Sequence, residues 1–351
     1  MILKHLSLQN FRSYTKSTFE FGNGTTVIVG PNTAGKTNII EAIYLLASGT
    51  SFRAEKDVHM IQFNEELARV SARVDEVTLE VMLTTGNVLG AESPLKKFLV
   101  NNVSKRRVDF VGNLAVVLFS PQDLEIIVDS PSTRRNFLDG VLILVDRDYR
   151  LAHTTYIKAL RQRNALLETA LETGRRSEKQ FSYWDTIIIQ SGQTLTQKRE
   201  TFINYLNSKE KDIFDFTVFY DKSIISHERL LQYKDAEVGS GVTLVGPHRD
   251  DFSVSMFNNV RQTTHDVKFF GSRGQQRLVV LQLKLLELSF MEQSLGVRPL
   301  FLLDDIFSEL DSEHIKLVME MLGLQQTILT TTHKEFLDKK FLKDADMVKL
   351  E

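Results

Sequence analysis

The 351-residue chain contains no cysteine, so neither a disulfide framework nor a thiolate metal centre is available to it. That fits a reducing compartment, and the expected location is the cytoplasm. Proline is scarce, at six residues, and there is a single tryptophan. No repeat, Pro-rich linker or low-complexity tract interrupts the chain. Long hydrophobic runs are also missing. Val141-Leu142-Ile143-Leu144-Val145 falls far short of the ~18 apolar residues of a membrane span, so no membrane association is expected. The N-terminal Met1-Ile2-Leu3-Lys4-His5 enters a strand-like pattern rather than a signal-peptide layout. Charge of one sign is not in excess: 43 Lys and Arg against 45 Asp and Glu give a formal net charge of −2. Any nucleic-acid contact must therefore come from a local basic patch. What remains, 42% hydrophobic and 25% charged residues, is ordinary for a globular protein of two or three compact units.

Thr25-Thr26-Val27-Ile28-Val29 reads as a buried strand running into a glycine-bearing loop. The stretch from Asn38 to Ser48, with Ile39, Ile40, Ala42, Ile43, Leu45 and Leu46, reads as a helix with a broad apolar face. Residues 67–119 are β-rich. Asp148 to Glu172 and Trp184 to Leu206 carry helical periodicity, and the polar link 172–179 makes them a helical hairpin. Strand and helix signals alternate again from Thr243. The predicted fold is α/β: a head from 1–125 and 243–351, with a helical arm inserted at 126–242. The helical stretches lack sustained heptads, so no long coiled coil is expected.

Three separated segments form one candidate ATP site. Gly30-Pro31-Asn32-Thr33-Ala34-Gly35-Lys36-Thr37 matches the phosphate-loop pattern G-x-x-x-x-G-K-[ST], followed by Asn38. Its glycines let backbone N–H groups face the phosphates at a helix N-terminus, Lys36 supplies a point charge, and the Thr37 hydroxyl is a magnesium ligand. Leu300 to Asp305 is an apolar strand ending in two carboxylates. Asp304 is the candidate metal ligand and Asp305 the residue that polarises the attacking water. Ser272-Arg273-Gly274-Gln275 opens a helix upstream of that strand. It is a candidate signature segment, facing the γ-phosphate held by a second copy of the chain. The plain alternatives are a chance glycine turn, a pair of turn carboxylates and an ordinary N-cap. Gln122, after Leu118-Phe119-Ser120-Pro121, is a candidate for the metal or the water, and otherwise a surface turn residue. Ser308 and Asp311 follow the paired carboxylates as a dimer-crossing loop, and Thr332 with His333 ends the last strand as a γ-phosphate switch.

Further segments extend the pattern beyond the ATP motifs. They include Asn10-Phe11-Arg12-Ser13-Tyr14, Ser51-Phe52-Arg53, Phe119 to Leu124, Pro131 to Asp139, Arg163-Asn164 and Gly246 to Asp251. With these, nearly the whole chain resembles the RecF family, the SMC-related DNA-repair ATPases of bacteria. The resemblance implies a two-lobed head, a weak ATPase using ATP and Mg2+, and an ATP-dependent homodimer. It further implies clamping of duplex DNA near single-strand gaps, and RecA loading with RecO and RecR. Arg12 and Arg53 take the adenine side on the same grounds. The family pattern has glycine where this chain has Thr33. A transporter ATPase subunit and the ATPase head of a nuclease share the nucleotide motifs but not the additional segments. Candidate basic clusters for DNA are Lys96-Lys97, Lys105-Arg106-Arg107, Arg134-Arg135, Arg161 with Arg163, and Arg175-Arg176. Each taken singly reads as a solvated surface feature. The lack of interleaved aromatics favours duplex backbone contact over a single-strand channel.

Overall fold

The structure, a computed structural model, describes residues 1–258, 263–306, 315, 322, 324–332 and 345–350. Ser308, Asp311 and His333 lie outside the described residues. The chain divides into two compact units, Met1–Asp123 with Glu287–Glu351, and Leu124–Leu286. Residues 243–286, predicted in the head, thus pack with the inserted segment. The reason is local pairing. The strand Asp251–Asn258 lies between Thr217–Asp221 and Thr263–Asp266 in a three-stranded antiparallel sheet. The helix Arg273–Leu295 also reaches back, through Gln282, whose side-chain oxygen accepts from the Ile213 amide at 2.8 Å.

The first unit has two sheets with one helix between them. A five-stranded parallel sheet runs in the order Val116–Phe119, Leu300–Asp304, Thr327–Thr331, Thr25–Val29, Asp346–Lys349. Its inner strands are buried along their length, which is why they read as unbroken apolar or threonine runs. A six-stranded antiparallel sheet runs in the order Tyr14–Glu20, Leu3–Phe11, Leu67–Val74, Val77–Thr84, Lys96–Val100, Val103–Lys105. It alternates instead: in Leu67–Val74 the side chains of Ala68, Val70, Ala72 and Val74 are buried while Arg69 and Arg73 are exposed. The helix Lys36–Ser48 packs against strands of both sheets. Covered on two sides, it buries Ile39, Ile40, Ala42, Ile43, Leu45 and Leu46 completely. At about 1.5–3 kcal/mol for each large aliphatic side chain, this helix is a main source of the unit's stability. It ends at Gly49, whose left-handed backbone (φ 73°) lets the cap amide bond Leu45 O.

The second unit is partly helical. Pro131–Val145, Arg147–Thr173 and Glu178–Ser208 are its long helices, the last two joined across Gly174 at φ 67°. They enclose a buried ionic core. Arg199, wholly internal, contacts Asp139 at 2.7 Å, Asp250 at 3.0 Å and the Pro247 carbonyl at 2.7 Å. Tyr149 donates to Asp139 and Tyr220 to Asp250. Burial alone would raise the Asp139 carboxyl, but Arg199 and His153 beside it hold it down at about 2. Arg163, also fully buried, bonds Asp185 and Glu237, each at 2.7 Å, and Thr243 at 2.9 Å. No helix among the described residues is long and apolar enough to cross a membrane.

Candidate nucleotide site

All five central strands are parallel, so the loops leaving their carboxyl ends share one edge of the sheet. The strand order places Gln122 and the Asp304–Asp305 pair on adjacent connections. The segment ending at Thr332 then lies between Asp304 and the phosphate loop.

The loop from Gly30 to Gly35 is tight and backed by protein. Gly35, the N-cap of the helix, sits at φ 90°, and a Cβ there would lie 2.8 Å from the Tyr14 hydroxyl. Tyr14 donates to Gly35 O at 3.3 Å and Asn38 Nδ2 to Ser13 Oγ at 3.0 Å, so the Asn10 to Tyr14 segment is fastened over the loop. Burial pushes the Tyr14 phenol up to about 12. Thr33 also lies in the left-handed region, at φ 75°. Glycine is the residue expected in this conformation, because an L side chain costs about 1–2 kcal/mol there. Lys36 is turned back on its own loop, with Nζ 2.8 Å from both Gly30 O and Pro31 O. Burial lowers its pKa, opposed by the negative charges of Asp305 and Asp304.

Thr37 meets Asp304 across the site: Thr37 Oγ1 donates to Asp304 Oδ1 at 3.0 Å, and Thr330 Oγ1 donates to the same oxygen at 2.8 Å. Asp304 is only 6% exposed. Burial raises its pKa despite the two hydroxyls and the charge of Arg53. A desolvated carboxylate beside a threonine hydroxyl is a hard-oxygen set of the kind magnesium shares with phosphates, so these residues fit the ion. Asp305 follows at φ 51°, its amide bonded to both Thr330 O (3.2 Å) and Thr330 Oγ1 (3.1 Å). Such a fixed left-handed residue at a strand end is a common device for aiming a functional side chain. Gln122 sits exposed in the turn Pro121–Leu124, which Asp123 anchors by accepting from Ser120 N at 2.6 Å.

Arg12 and Arg53 differ in availability. Arg12 is committed to a bidentate pair with Glu41, at 2.8 and 2.6 Å, and to His59 O at 2.7 Å. Arg53 is exposed, and its guanidinium makes no hydrogen bond among the described residues. Glu41 is fully buried and also accepts from Ser51 Oγ, which caps the amides of Arg53 and Ala54. One carboxylate thereby ties the phosphate-loop helix to both arginine-bearing segments. Sequence reasoning misses Glu41, although a lone acid amid Ile39-Ile40-Glu41-Ala42-Ile43 is the available signal. It also misses Thr330 and Tyr14 as supports of the site.

In the second unit, Ser272 forms a capping box with Gln275. Gln275 N donates to Ser272 Oγ at 3.2 Å, and Ser272 N donates to Gln275 Oε1 at 2.9 Å. Ser272, Arg273 and Gly274 are exposed. The cap is thus real, and it leaves the helix N-terminus open. Several of the candidate basic residues are internal instead of solvated. Arg134 pairs with Asp251 at 2.6 and 2.9 Å, Arg163 is enclosed as described, Lys96 bonds Gly49 O and Asp57, and Arg107 bonds Ser48 O. These four hold the fold, which removes them as candidate DNA contacts.

A phosphate-loop helix between a parallel sheet and an antiparallel sheet, with an acidic strand end beside it, defines an ABC-type ATPase head of the SMC kind. Residues 2–349 match the family model RecF/RecN/SMC N terminal domain. The fold is shared at a TM-score of 0.54 with an Smc head domain from Pyrococcus furiosus that is 17% identical. The chain is 33% identical over 360 residues to the DNA replication and repair protein RecF of Moorella thermoacetica, covering 99% of this chain and 94% of that one. It is 34% identical over 368 residues to RecF of Shouchella clausii, covering 98% and 96%. A solved structure of the recombination mediator protein RecF-ATP in the RecFOR pathway superposes with a TM-score of 0.84 at 29% identity, covering 96% of this chain and 93% of that one. The chain belongs to the RecF family.

Proposed function

We propose that this chain is an ATP-dependent, dimerising DNA-binding ATPase of recombinational repair, clamping duplex DNA at single-strand gaps and assisting RecA loading with RecO and RecR. The observation that carries the reading is the Thr37–Asp304 contact at 3.0 Å beside Lys36, at the carboxyl edge of a parallel sheet. Full-length similarity to RecF relatives favours it over a transporter subunit or a nuclease head.

In this mechanism Lys36 exchanges its two loop carbonyls for the β- and γ-phosphates. Thr37 and Asp304 would hold magnesium, and Gln122, on the adjacent connection, is the further candidate for the metal or the water. The ion supplies charge neutralisation on the phosphates when bound. Asp305 orients and polarises the attacking water. Ser272 and Gly274 of a second copy close the site from the other side, presenting the open helix N-terminus to the γ-phosphate. Most of the catalysis is positioning and charge stabilisation. An aspartate at position 305 has a shorter reach than a glutamate, consistent with slow hydrolysis and a long-lived clamp.

The test is sedimentation of Asp305→Asn with labelled duplex DNA, with and without ATP. A dimer on DNA that forms only with ATP is the expected result. A monomer that ignores DNA under both conditions would sink the proposal while leaving the nucleotide site intact.

A further inference from the structure

Strand register in the six-stranded sheet resolves two of the basic clusters into inward and outward halves. Lys96 pairs with Leu83 on the face packed against the helix Lys36–Ser48, and its Nζ bonds Gly49 O and Asp57. Lys97, one residue on, points to the opposite face and is exposed. Arg107 likewise turns inward to Ser48 O, whereas the Arg106 side chain is 75% exposed and meets only Asp109 among the described residues.

On the outer face, consecutive cross-strand pairs link Lys16 to Gln9, Gln9 to Arg69, Arg69 to Met82 and Met82 to Lys97. Arg106 lies level with Lys97 by the same register, one residue past the last ladder pair, Phe98 with Lys105. Strands are ~4.8 Å apart, so Lys16, Arg69 and Lys97 recur every ~10 Å across the sheet. The neighbouring row is Thr18, Ser7, Ser71, Glu80, Leu99 and Ser104. Short hydroxyl side chains predominate there, which lets a rigid polyanion approach closely and offers donors to its phosphates. Glu80 is the acid in these two rows, and it is only 15% exposed and bridged to Arg69 at 3.2 Å. The face carries no large exposed apolar side chain, which argues against a protein or lipid partner.

We propose that this outer face is the docking surface for the phosphate backbone of duplex DNA, with Lys16, Arg69 and Lys97 as its contacts. The assignment rests on the DNA-binding function proposed above and names the surface that performs it. Recognition is sequence-independent, because a row of cations on a sheet face, with no element entering a groove, reaches phosphates and no base edges.

The experiment is fluorescence anisotropy of the full chain with ATP and a labelled duplex of ~30 base pairs, titrated over ~50–200 mM NaCl. Replacing Lys16, Arg69 and Lys97 together by glutamine should flatten the log–log salt slope by ~2.7, that is, three contacts at ~0.9 each. It should weaken binding at least about tenfold, with melting temperature and ATP affinity unchanged. Glu80→Gln, which frees Arg69, should strengthen binding and steepen the slope. A triple variant with the unaltered slope overturns the surface assignment alone. If the same loss appears on a single-stranded oligonucleotide but not on the duplex, the duplex occupant is wrong. If the unaltered chain fails to bind duplex at all, both this assignment and the function beneath it fall.

Discussion

The buried ionic core of the second unit makes the sharpest energetic prediction. Asp250 is 0% exposed and accepts three hydrogen bonds: from Arg199 at 3.0 Å, from the Ser223 amide at 2.7 Å and from Tyr220. All three partners are donors. Asp250→Asn therefore keeps the shape but sets an NH2 group against a donor, and it removes the countercharge. Removing one partner of a buried pair costs about 3–5 kcal/mol. Arg199 retains Asp139 and Pro247 O, so the lower end, ~3 kcal/mol, applies here. With a urea dependence of ~2–3 kcal/mol/M, the midpoint should fall by about 1–1.5 M. Trp184, the single tryptophan, lies in Glu178–Ser208 of the same unit, so its fluorescence reports this transition selectively. In a double-mutant cycle with Arg199→Met, a coupling of ~1.5 kcal/mol or more is expected. A midpoint shift below ~0.3 M, or simple additivity, would show that the core is solvated and the argument unsound.

Two further outcomes are expected. Thr33→Gly relieves ~1–2 kcal/mol of left-handed strain and gives back ~0.4–1 kcal/mol in unfolded-state entropy, so the melting temperature should rise by a few degrees at most, with ATP affinity retained. A fall in melting temperature refutes the strain. His248, pushed down to about 4 chiefly by burial, favours its neutral form in the folded state. Its contribution is complete above the unfolded value near 6.5 and is lost as pH falls toward 4. His248→Gln should therefore flatten the pH dependence of Trp184 unfolding across that window; an unchanged profile assigns the acid sensitivity to other groups.

The nucleotide motifs are legible in the sequence because their chemistry is local. A strand, six loop residues and a helix specify where Lys36 and Thr37 stand, and two acids closing an apolar strand stand where the carboxyl edge of a parallel sheet meets its ligands. The edge of the inserted unit is not legible. Nothing in Asp251–Asn258 alone says that it pairs with Thr217–Asp221 in place of a strand of the head, because partner choice is a long-range property. The basic clusters mislead for a related reason. Lys96 and Lys97 are adjacent in sequence but lie on opposite faces of one strand, and only the register says which is which. Arg163 and Arg134 read as solvated because charged residues rarely occur inside. They are internal here because Asp185, Glu237 and Asp251 meet them from distant segments. Part of what looks like a DNA-binding signature between 131 and 251 is therefore the internal scaffold of a unit.

The charges of the nucleotide site also bear on the proposal that ATP enters with a metal ion. Lys36 directs its hydrogen bonds to two neutral carbonyls, so it acts on Asp304 only through space and makes no direct ion pair with it among the described residues. Asp304 in turn has two hydroxyl donors but no direct ion pair among the described residues, and burial raises its pKa. Metal-free ATP would bring phosphate charge toward a carboxylate already short of compensation. With magnesium held at Asp304, as proposed above, ATP would give Lys36 an anion and Asp304 a cation at one time. ATP affinity in magnesium should thus exceed that in EDTA by about tenfold or more, equivalent to ~1.4 kcal/mol or more. Asp304→Asn removes the uncompensated charge while keeping an acceptor for the Thr37 and Thr330 hydroxyls. In that variant binding in EDTA should improve and binding in magnesium should weaken, so the ratio collapses toward one. Calorimetric titration under both conditions measures it directly. An unaltered ratio in Asp304→Asn would mean that the metal is held without this carboxylate, and the role assigned to the Thr37–Asp304 contact would be wrong.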